Sequence, residues 1–490
     1  MALQLLIGAS LAWQLSLVAL GFGVFILLPS RGSSLRLMRG AGAIAVGYIL
    51  MQSHLPPLLQ GPLQGKAKAC ILEKKEGSFF GRTFLCYKLQ LKQFVASGRC
   101  YKNIFCTLRV KPKEAFLADH DVEITEATLT CTSPRHYQLK LTKASQVEPI
   151  EHSFSWAEKR YRWKQGVIRH LSEYIQDKKV LKLLSALSVG YLDHKTLGYE
   201  FARLGLQHLL TISGFHFALL TFFFASFLKP FFSKKIKILI LIALLGLYVV
   251  YLGPAPSISR AWIGVLVYLV GEYFGVISTP INTLGLACIF SFLSNPLSIL
   301  QVGFQLSYAA TLGILIFYTA IERLLTCLLP KRPLTMLVSL PLYDKLLAAF
   351  LHFLRKGLAL DIAVTLFTLP LVLFHTGSYP LASFLYNLFI PLLFVLVLFL
   401  LILGCSVAFC PPLCSMIHKG NAFYSAKVLH CIAAAPGAFE KTLHLPQGSY
   451  EGCLLCLILV FLGGLRFSLI DSAVDKACAA KTVDIVKVPL

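Results

Sequence analysis

Residues 3–28, 206–228 and 381–403 are predominantly apolar stretches, each longer than the roughly 18 residues a helix needs to cross a bilayer. A chain carrying several such stretches has one economical solution, an α-helical bundle in lipid, because every backbone polar group must be satisfied within the spanning element. Charged residues are only 14% of the chain, against roughly 25% in an ordinary soluble domain. That deficit excludes a disordered chain, a coiled coil and a typical cytosolic enzyme. Further spans are expected at 41–59, 238–252, 258–274, 281–293, 300–319, 358–374 and 453–465, giving about ten. Residues 342–353 are expected to form an amphipathic interfacial helix, and 404–450 fix no assignment.

Basic loops set the expected orientation. Arg31, Arg36 and Arg39 lie between the first two spans; Lys229, Lys234, Lys235 and Lys237 follow 206–228; Arg323, Lys331 and Arg332 follow 300–319. Cytoplasmic loops favour Lys and Arg. All three loops agree on one topology, with the N-terminus and residues 61–180 outside the cytoplasmic membrane. No basic n-region precedes the first run, so it reads as a span and not as a cleaved signal.

Residues 61–150 change character. Tyr87, Leu89 and Leu91 interleave with Lys88, Gln90 and Lys92; Cys106, Leu108 and Val110 interleave with Thr107 and Arg109; Val122 and Ile124, then Leu139 and Leu141, alternate likewise. Period two marks half-buried strands. Five or six short strands suit a small barrel of the OB type, with a generic β-sandwich as the alternative. Residues 151–195 follow as amphipathic helices, whose Trp156, Tyr161 and Trp163 sit among Lys159, Arg160, Arg162 and Lys164, a composition suited to the headgroup plane. Residues 61–182 hold 23 Lys+Arg and 12 Asp+Glu. A polyanion or anionic lipid headgroups would each account for that excess. Of the 14 cysteines, Cys70, Cys86, Cys100, Cys106 and Cys131 lie in this polar region, where one pair could be oxidised. The other nine lie in or beside apolar segments and read as small buried hydrophobes. Cys453 and Cys456 form C-x-x-C inside an apolar run without a partner pair, so no metal is assigned there.

Ionisable and polar residues inside membrane segments face cavities or one another. Glu200, Arg203, His208 and His216 cluster around one span, Arg260 and Glu272 mark another, and Asp361 and His375 a third. Two features break helices. His208, Thr211, Ser213, Gly214 and His216 interrupt an apolar stretch, and Gly253-Pro-Ala-Pro256 precedes Arg260. Such breaks are tolerated at membrane depth where protein or water satisfies the freed backbone; close helix packing at Ser213 and Gly214 is the plainer explanation. No P-loop, H-E-x-x-H or G-x-S-x-G occurs. Neither a catalytic residue, a cofactor nor a metal site is assigned.

The stretch His208-Leu-Leu-Thr-Ile-Ser-Gly-Phe-His216 resembles the H-L-L-A-[IV]-S-G-L-H signature of the ComEC family of bacterial competence proteins, departing at Thr211 and Phe215. Pro256-Ser-Ile-Ser-Arg-Ala261 resembles its P-S-x-x-R-A. Asn295-Pro-Leu with Gly303-Phe-Gln-Leu-Ser307 resembles its N-P-L…G-F-Q-L-S, and Thr368-Leu-Pro370 through Asn387 and Pro391 its T-x-P…N…P. The resemblance implies a channel that carries single-stranded DNA across the bacterial cytoplasmic membrane during natural transformation, with an exterior OB-like domain. Many members end in a metallo-β-lactamase-like domain with an H-x-H-x-D-H motif. Only residues 468–490 follow the channel region here and the motif is absent, so a short form is expected. A separate nuclease would then degrade the other strand.

The expected domains are a two-helix membrane region (1–60), the OB-like domain (61–150), interfacial helices (151–195), a multi-span channel domain (196–467) and a tail (468–490). The expected channel lining is His208, Thr211, Ser213, Gly214, His216, Arg260, Gln305 and Asn387. Lys88, Lys92, Arg99, Lys102 and Arg109 are the expected phosphate contacts of the barrel. Single-stranded DNA, membrane lipids, a separate cytoplasmic ATPase or helicase and DNA-receptor proteins are the expected partners. The rivals are a secondary transporter of a small anion and an intramembrane hydrolase using Ser213 with His208 or His216.

Overall fold

The computed structural model describes residues 2–13, 34–55, 61–79, 82–133, 136–142, 144–190, 195–253, 255–276, 279–328, 341–434, 441–444, 449–464 and 466. The second half of the first expected span, Arg31, Pro254, Lys331 and Arg332, and the tail lie outside them.

Seven strands build the β domain: β1 (Leu63–Phe79), β2 (Arg82–Ala96), β3 (Arg99–Tyr101), β4 (Ile104–Val110), β5 (Val122–Ser133), β6 (His136–Leu141) and β7 (Val147–Pro149). The order β1-β2-β4-β6-β5 closes through a β1–β5 pairing into a five-stranded barrel, with β3 and β7 as short additions. β4 and β6 are parallel, and the neighbouring pairs are antiparallel. This is the OB arrangement. The expected alternation places Tyr87, Leu89, Leu91, Cys106, Leu108, Val110, Val122, Ile124 and Leu139 inside. The strands are longer than expected. β1 bends through register shifts at Lys68/Ala69 and Ile71/Glu73, which let one strand pair with both β2 and β5. Those shifts break the two-residue period, which is why β1 is hard to see in the sequence. Gly65 allows the closure, since a Cβ there would lie 2.0 Å from the Val95 carbonyl oxygen.

Two helices, α3 (Ala157–Tyr174) and α4 (Lys178–Val189), join the barrel to the helical body. α3 is docked, not loose. Lys74 and Glu158, both almost fully buried, pair at 2.9 Å, and Glu158 also accepts from the Ala118 N–H and from Arg162 Nε. Desolvation pushes the Glu158 carboxyl up, but these donors outweigh it and hold its pKa below the usual value. Further along, Lys164 donates to the Leu252 carbonyl at 2.7 Å. Leu171, Ile175, Val180, Leu183 and Leu184 join Phe394, Val397 and Leu429 in one core. Phe154 and Trp156, just before α3, and Trp163 on it are exposed, with Lys159 over the first two rings.

The helical body comprises α1 (Ala2–Trp13), α2 (Ser34–His54), α5 (Lys195–Arg203), α6 (Gly214–Leu228), α7 (Lys234–Leu252), α8 (Pro256–Phe274), α9 (Pro280–Ser294), α10 (Val302–Leu328), α11 (Leu342–Thr376), α12 (Ser383–Ser406), α13 (Pro411–Ala433) and α14 (Tyr450–Gly464). A two-stranded ribbon pairs β8 (Ser378–Pro380) with β9 (Thr442–His444). Four of the described helices, α7, α10, α11 and α12, are long and apolar enough to cross a membrane, which makes this a membrane protein. These four are the described helices that meet that length, so the expected count of about ten spans is not reached among the described residues. α6, α9 and α14 are apolar but shorter; the break at Ser213-Gly214 delays the start of α6, and Asn295-Pro296 ends α9. The helix expected at 342–353 is not separate either: it continues through Arg355-Lys356-Gly357 into α11 as 35 residues. A single glycine does not end a helix whose other positions favour it. Close crossings use small residues: a Cβ on Gly47 would meet the Leu5 carbonyl oxygen at 2.2 Å, and one on Gly313 the Ala363 carbonyl oxygen at 2.4 Å.

Candidate functional site

The chain turns sharply before α6. Gly205 adopts φ +71°, a short 3-10 turn spans Gln207–Leu209, and α6 starts only at Gly214. Ser213 is its N-cap. The Ser213 N–H donates to His216 Nδ1 at 3.3 Å, and the His216 N–H donates to the Ser213 carbonyl at 3.1 Å. Ser213 Oγ also lies 3.3 Å from His216 Nδ1. This is a capping box with histidine in the usual Glu position. His216 is buried and its Nε2 has no hydrogen-bond partner. It borders a cavity of about 300 Å³ whose walls include Leu219, Phe224, Tyr248 and Leu398. His208 and Thr211 are exposed, and each bonds only to backbone, at Gly205 and His208 respectively. The two histidines therefore occupy different environments. No carboxylate orients His216 Nε2, so the Ser213–His216 pair has the geometry of a helix cap and not of a base with its orienting group.

The second break feeds the same place. α8 begins at Pro256, and its Ser257 hydroxyl donates to the Ile212 carbonyl at 3.3 Å, tying it to the first break. One turn on, Arg260 is half-buried. Its Nε donates to Ser307 Oγ on α10 at 2.6 Å, and a Cβ on Gly214 would lie 3.2 Å from its Nη2. Gly214 thus gives the guanidinium room over the N-terminus of α6. Gln305 donates to the Ile299 carbonyl at 3.0 Å, and its Oε1 lies 2.7 Å from His375 Nε2, which must carry the proton because the partner is an acceptor. α10 thus carries two polar contacts, Ser307 with Arg260 of α8 and Gln305 with His375 of α11, the latter pair 70 positions apart in sequence.

The eighth expected residue stands apart. Asn387 Nδ2 donates to Asp361 Oδ1 at 3.5 Å, leaving Asp361 Oδ2 and Asn387 Oδ1 without partners in a buried setting. Fourteen residues separate Asp361 from His375 on α11, about 21 Å along the axis at 1.5 Å per residue. Asp361, Thr365, Thr368 and His375 follow helical spacing, so they form a polar stripe joining the two levels. Sequence reasoning omitted Ser307 from the site, although it lies in the quoted stretch 303–307. Its role depends on a partner 47 residues away.

On the barrel, the five basic residues do not share one face. Lys88 and Lys92 on β2 and Arg109 on β4 point outward beside Phe84, Gln90, Phe105 and Thr107, the β2–β4 surface. Arg109 stacks over Phe84 at 5.5 Å. Arg99 and Lys102 sit at the β2–β3 hairpin end, exposed. Two charges are partly answered by the protein: Lys88 pairs with Glu73 at 3.1 Å and Lys92 with Asp121. Burial raises the Glu73 carboxyl, but Lys75, Lys88 and Lys164 more than reverse this, so its pKa is lowered. Desolvation drives Lys164 down to about 8.

A family model described as Competence protein matches residues 192–469, more than half of the chain. ComE operon protein 3 of Bacillus subtilis (strain 168) is 32% identical over 151 residues, covering 30% of this chain and 19% of that protein. The aligned part thus spans about a fifth of that relative's length. No solved structure matches.

Proposed function

The chain belongs to the competence protein family, and on that premise we propose that it translocates single-stranded DNA across the bacterial cytoplasmic membrane in DNA uptake. The observation that carries this reading is Arg260, held by Ser307 against side-chain-free Gly214 where two interrupted helices meet. A guanidinium is always charged, and its planar fork matches phosphate oxygens. Placed among broken helices, it offers a passing backbone a contact that lipid cannot. Gln305 and His375 extend the polar surface, and the stripe on α11 continues it toward Asp361 and Asn387. A fixed sequence-blind cation suits a substrate whose repeating unit is a phosphate.

The barrel would take the strand first. Its β2–β4 surface is the one OB-folds use for oligonucleotides. Lys88, Lys92 and Arg109 would meet phosphates, and Phe84 and Phe105 would stack on bases. Arg99 and Lys102 would guide the strand at the hairpin end. His208 and Thr211 would line the exposed mouth, and Ser213 and His216 would hold the bend that forms it. The exposed Phe154, Trp156 and Trp163 would rest at the headgroups, with the barrel and N-terminus outside and the lysine-rich start of α7 inside. A separate cytoplasmic ATPase or helicase would pull the strand, DNA-receptor proteins would deliver it, and a separate nuclease would remove the other strand.

The test is transport of labelled DNA into cells, scored as label that resists added nuclease. Loss of the protected pool without the chain, with surface-bound DNA unchanged, supports translocation. An unchanged pool sinks the proposal, and an anion-flux assay on the reconstituted chain would then test the small-anion rival.

A further inference from the structure

Away from the Arg260 cluster, α3 crosses α13. Each helix presents an i, i+4 pair to the other: His170 and Tyr174 from α3, Cys414 and His418 from α13. The three ligand atoms of His170, Cys414 and His418 lie within 4.8 Å of one another. His418 is fully buried, yet neither ring nitrogen has a hydrogen-bond partner. A buried imidazole with both nitrogens idle forgoes the hydrogen bonds that water would give it, and packing alone gives no reason to use histidine there. Space is reserved for the ring: Gly404 on α12 faces it, and a Cβ would come within 2.6 Å of His418 Cε1 and 2.9 Å of both nitrogens.

We propose that His170, Cys414 and His418 bind a zinc ion that clasps α3, and through it the barrel, to the α12–α13 hairpin. The donor set is two imidazoles and one thiolate, which suits zinc in tetrahedral coordination. One edge of the site already fits. Cys414 Sγ is 3.6 Å from His170 Nε2. An S···N edge of about 3.6 Å is what tetrahedral angles give with Zn–S near 2.3 Å and Zn–N near 2.0–2.1 Å. The His418 ligand atom lies within 4.8 Å of the other two, and metal binding would draw it in to the same spacing. A water supplies the fourth position. Binding replaces the thiol proton: one S–H bond is lost, one Zn–S bond forms, and the proton leaves to solvent. No electron moves, since zinc is redox-inert. The site escapes sequence inspection because its ligands lie 244 positions apart.

Cobalt(II) titration of the purified, metal-stripped full chain in detergent tests this directly. We expect a thiolate-to-cobalt charge-transfer band that saturates at one equivalent per chain and is bleached by zinc. Cys414→Ala should abolish the band, His170→Ala should keep it with at least tenfold weaker binding, and Cys431→Ser, an exposed cysteine outside the cluster, should behave as wild type. A wild-type chain that develops no band overturns the proposal without any variant, so a misfolded mutant cannot protect it. A band that survives in Cys414→Ala, as binding at Cys453 and Cys456 would give, overturns it equally.

Discussion

The barrel and the helical body solve opposite problems. In the barrel, water supplies the contrast. Apolar side chains go in, and Lys88, Gln90 and Lys92 go out between Leu89 and Leu91. The exception is buried charge, the Lys74–Glu158 pair that fastens α3 to β1. In the body, lipid removes the contrast, since the outward faces of α7 and α12 are as apolar as their cores, with Leu247 and Leu392 exposed. There the information lies in exceptions: glycines where backbones touch, and polar groups that seek each other. Stability in the barrel should thus depend on pattern and on one ion pair, and in the body on close contact.

The largest effect expected follows from that ion pair. Glu158→Ala leaves Lys74 buried without its carboxylate and should cost about 3–5 kcal/mol of barrel stability, read by pulse proteolysis of the full chain. The double variant Lys74→Met, Glu158→Leu should recover much of the loss. If the single variant is neutral, charge does not fasten the barrel. In the body, Gly313→Leu must displace the Ala363 carbonyl and should cost up to about 3 kcal/mol, seen as a lower unfolding temperature in detergent, whereas Gly303→Leu, at a position with open space, should cost little. Equal effects would erase the proposed role of close crossings. Arg260→Ala removes a charged hydrogen bond of about 2 kcal/mol, and protected DNA should fall roughly 30-fold, with Arg260→Lys intermediate.

Lys164 gives the next smaller effect. Its pKa is about 8 in the folded chain against 10.5 in the free side chain. Between those values the unfolded chain binds more protons, so barrel docking should strengthen as pH rises, by at most about 1.4 kcal/mol per pH unit. As pH falls through about 8 that gain is lost, because the buried amine must take up a proton. Stability that declines across this window would contradict the assignment, and Lys164→Met should flatten the profile. The smallest expected change is electrostatic: Lys88→Ala with Arg109→Ala should reduce the salt slope of single-strand binding by about 1.4, or 0.7 per phosphate contact. An unchanged slope would move the strand off the β2–β4 surface.

Sequence reading reached different depths in the two regions for the same reason. Alternation made β2, β4, β5 and β6 legible, because period two is a local property, but left barrel and sandwich both open until the family resemblance pointed to the OB type; β1 escaped where its register shifts break that period. The breaks at Ser213-Gly214 and before Arg260 were equally local and legible. What was not legible was pairing at a distance. Ser307 as the Arg260 partner, Gln305 against His375, and His170 against Cys414 and His418 depend on helix crossings that apolar surfaces of uniform character do not specify. Span length was misjudged where hydrophobicity continues through a turn, and the separate helix expected at 342–353 where a charged pair interrupts a run without bending it.

The central claim is that the strand passes the Arg260 cluster. The direct measurement is photocrosslinking to a DNA strand halted in transit by a bulky end group. A photoreactive residue replaces Gln305, two positions before the Arg260 partner Ser307, or Phe222, on the exposed face of α6. The account predicts DNA adducts at 305 that require the halted strand, and none at 222. Adducts of equal yield at both positions, or none at 305 while the same variant still takes up DNA, would contradict it.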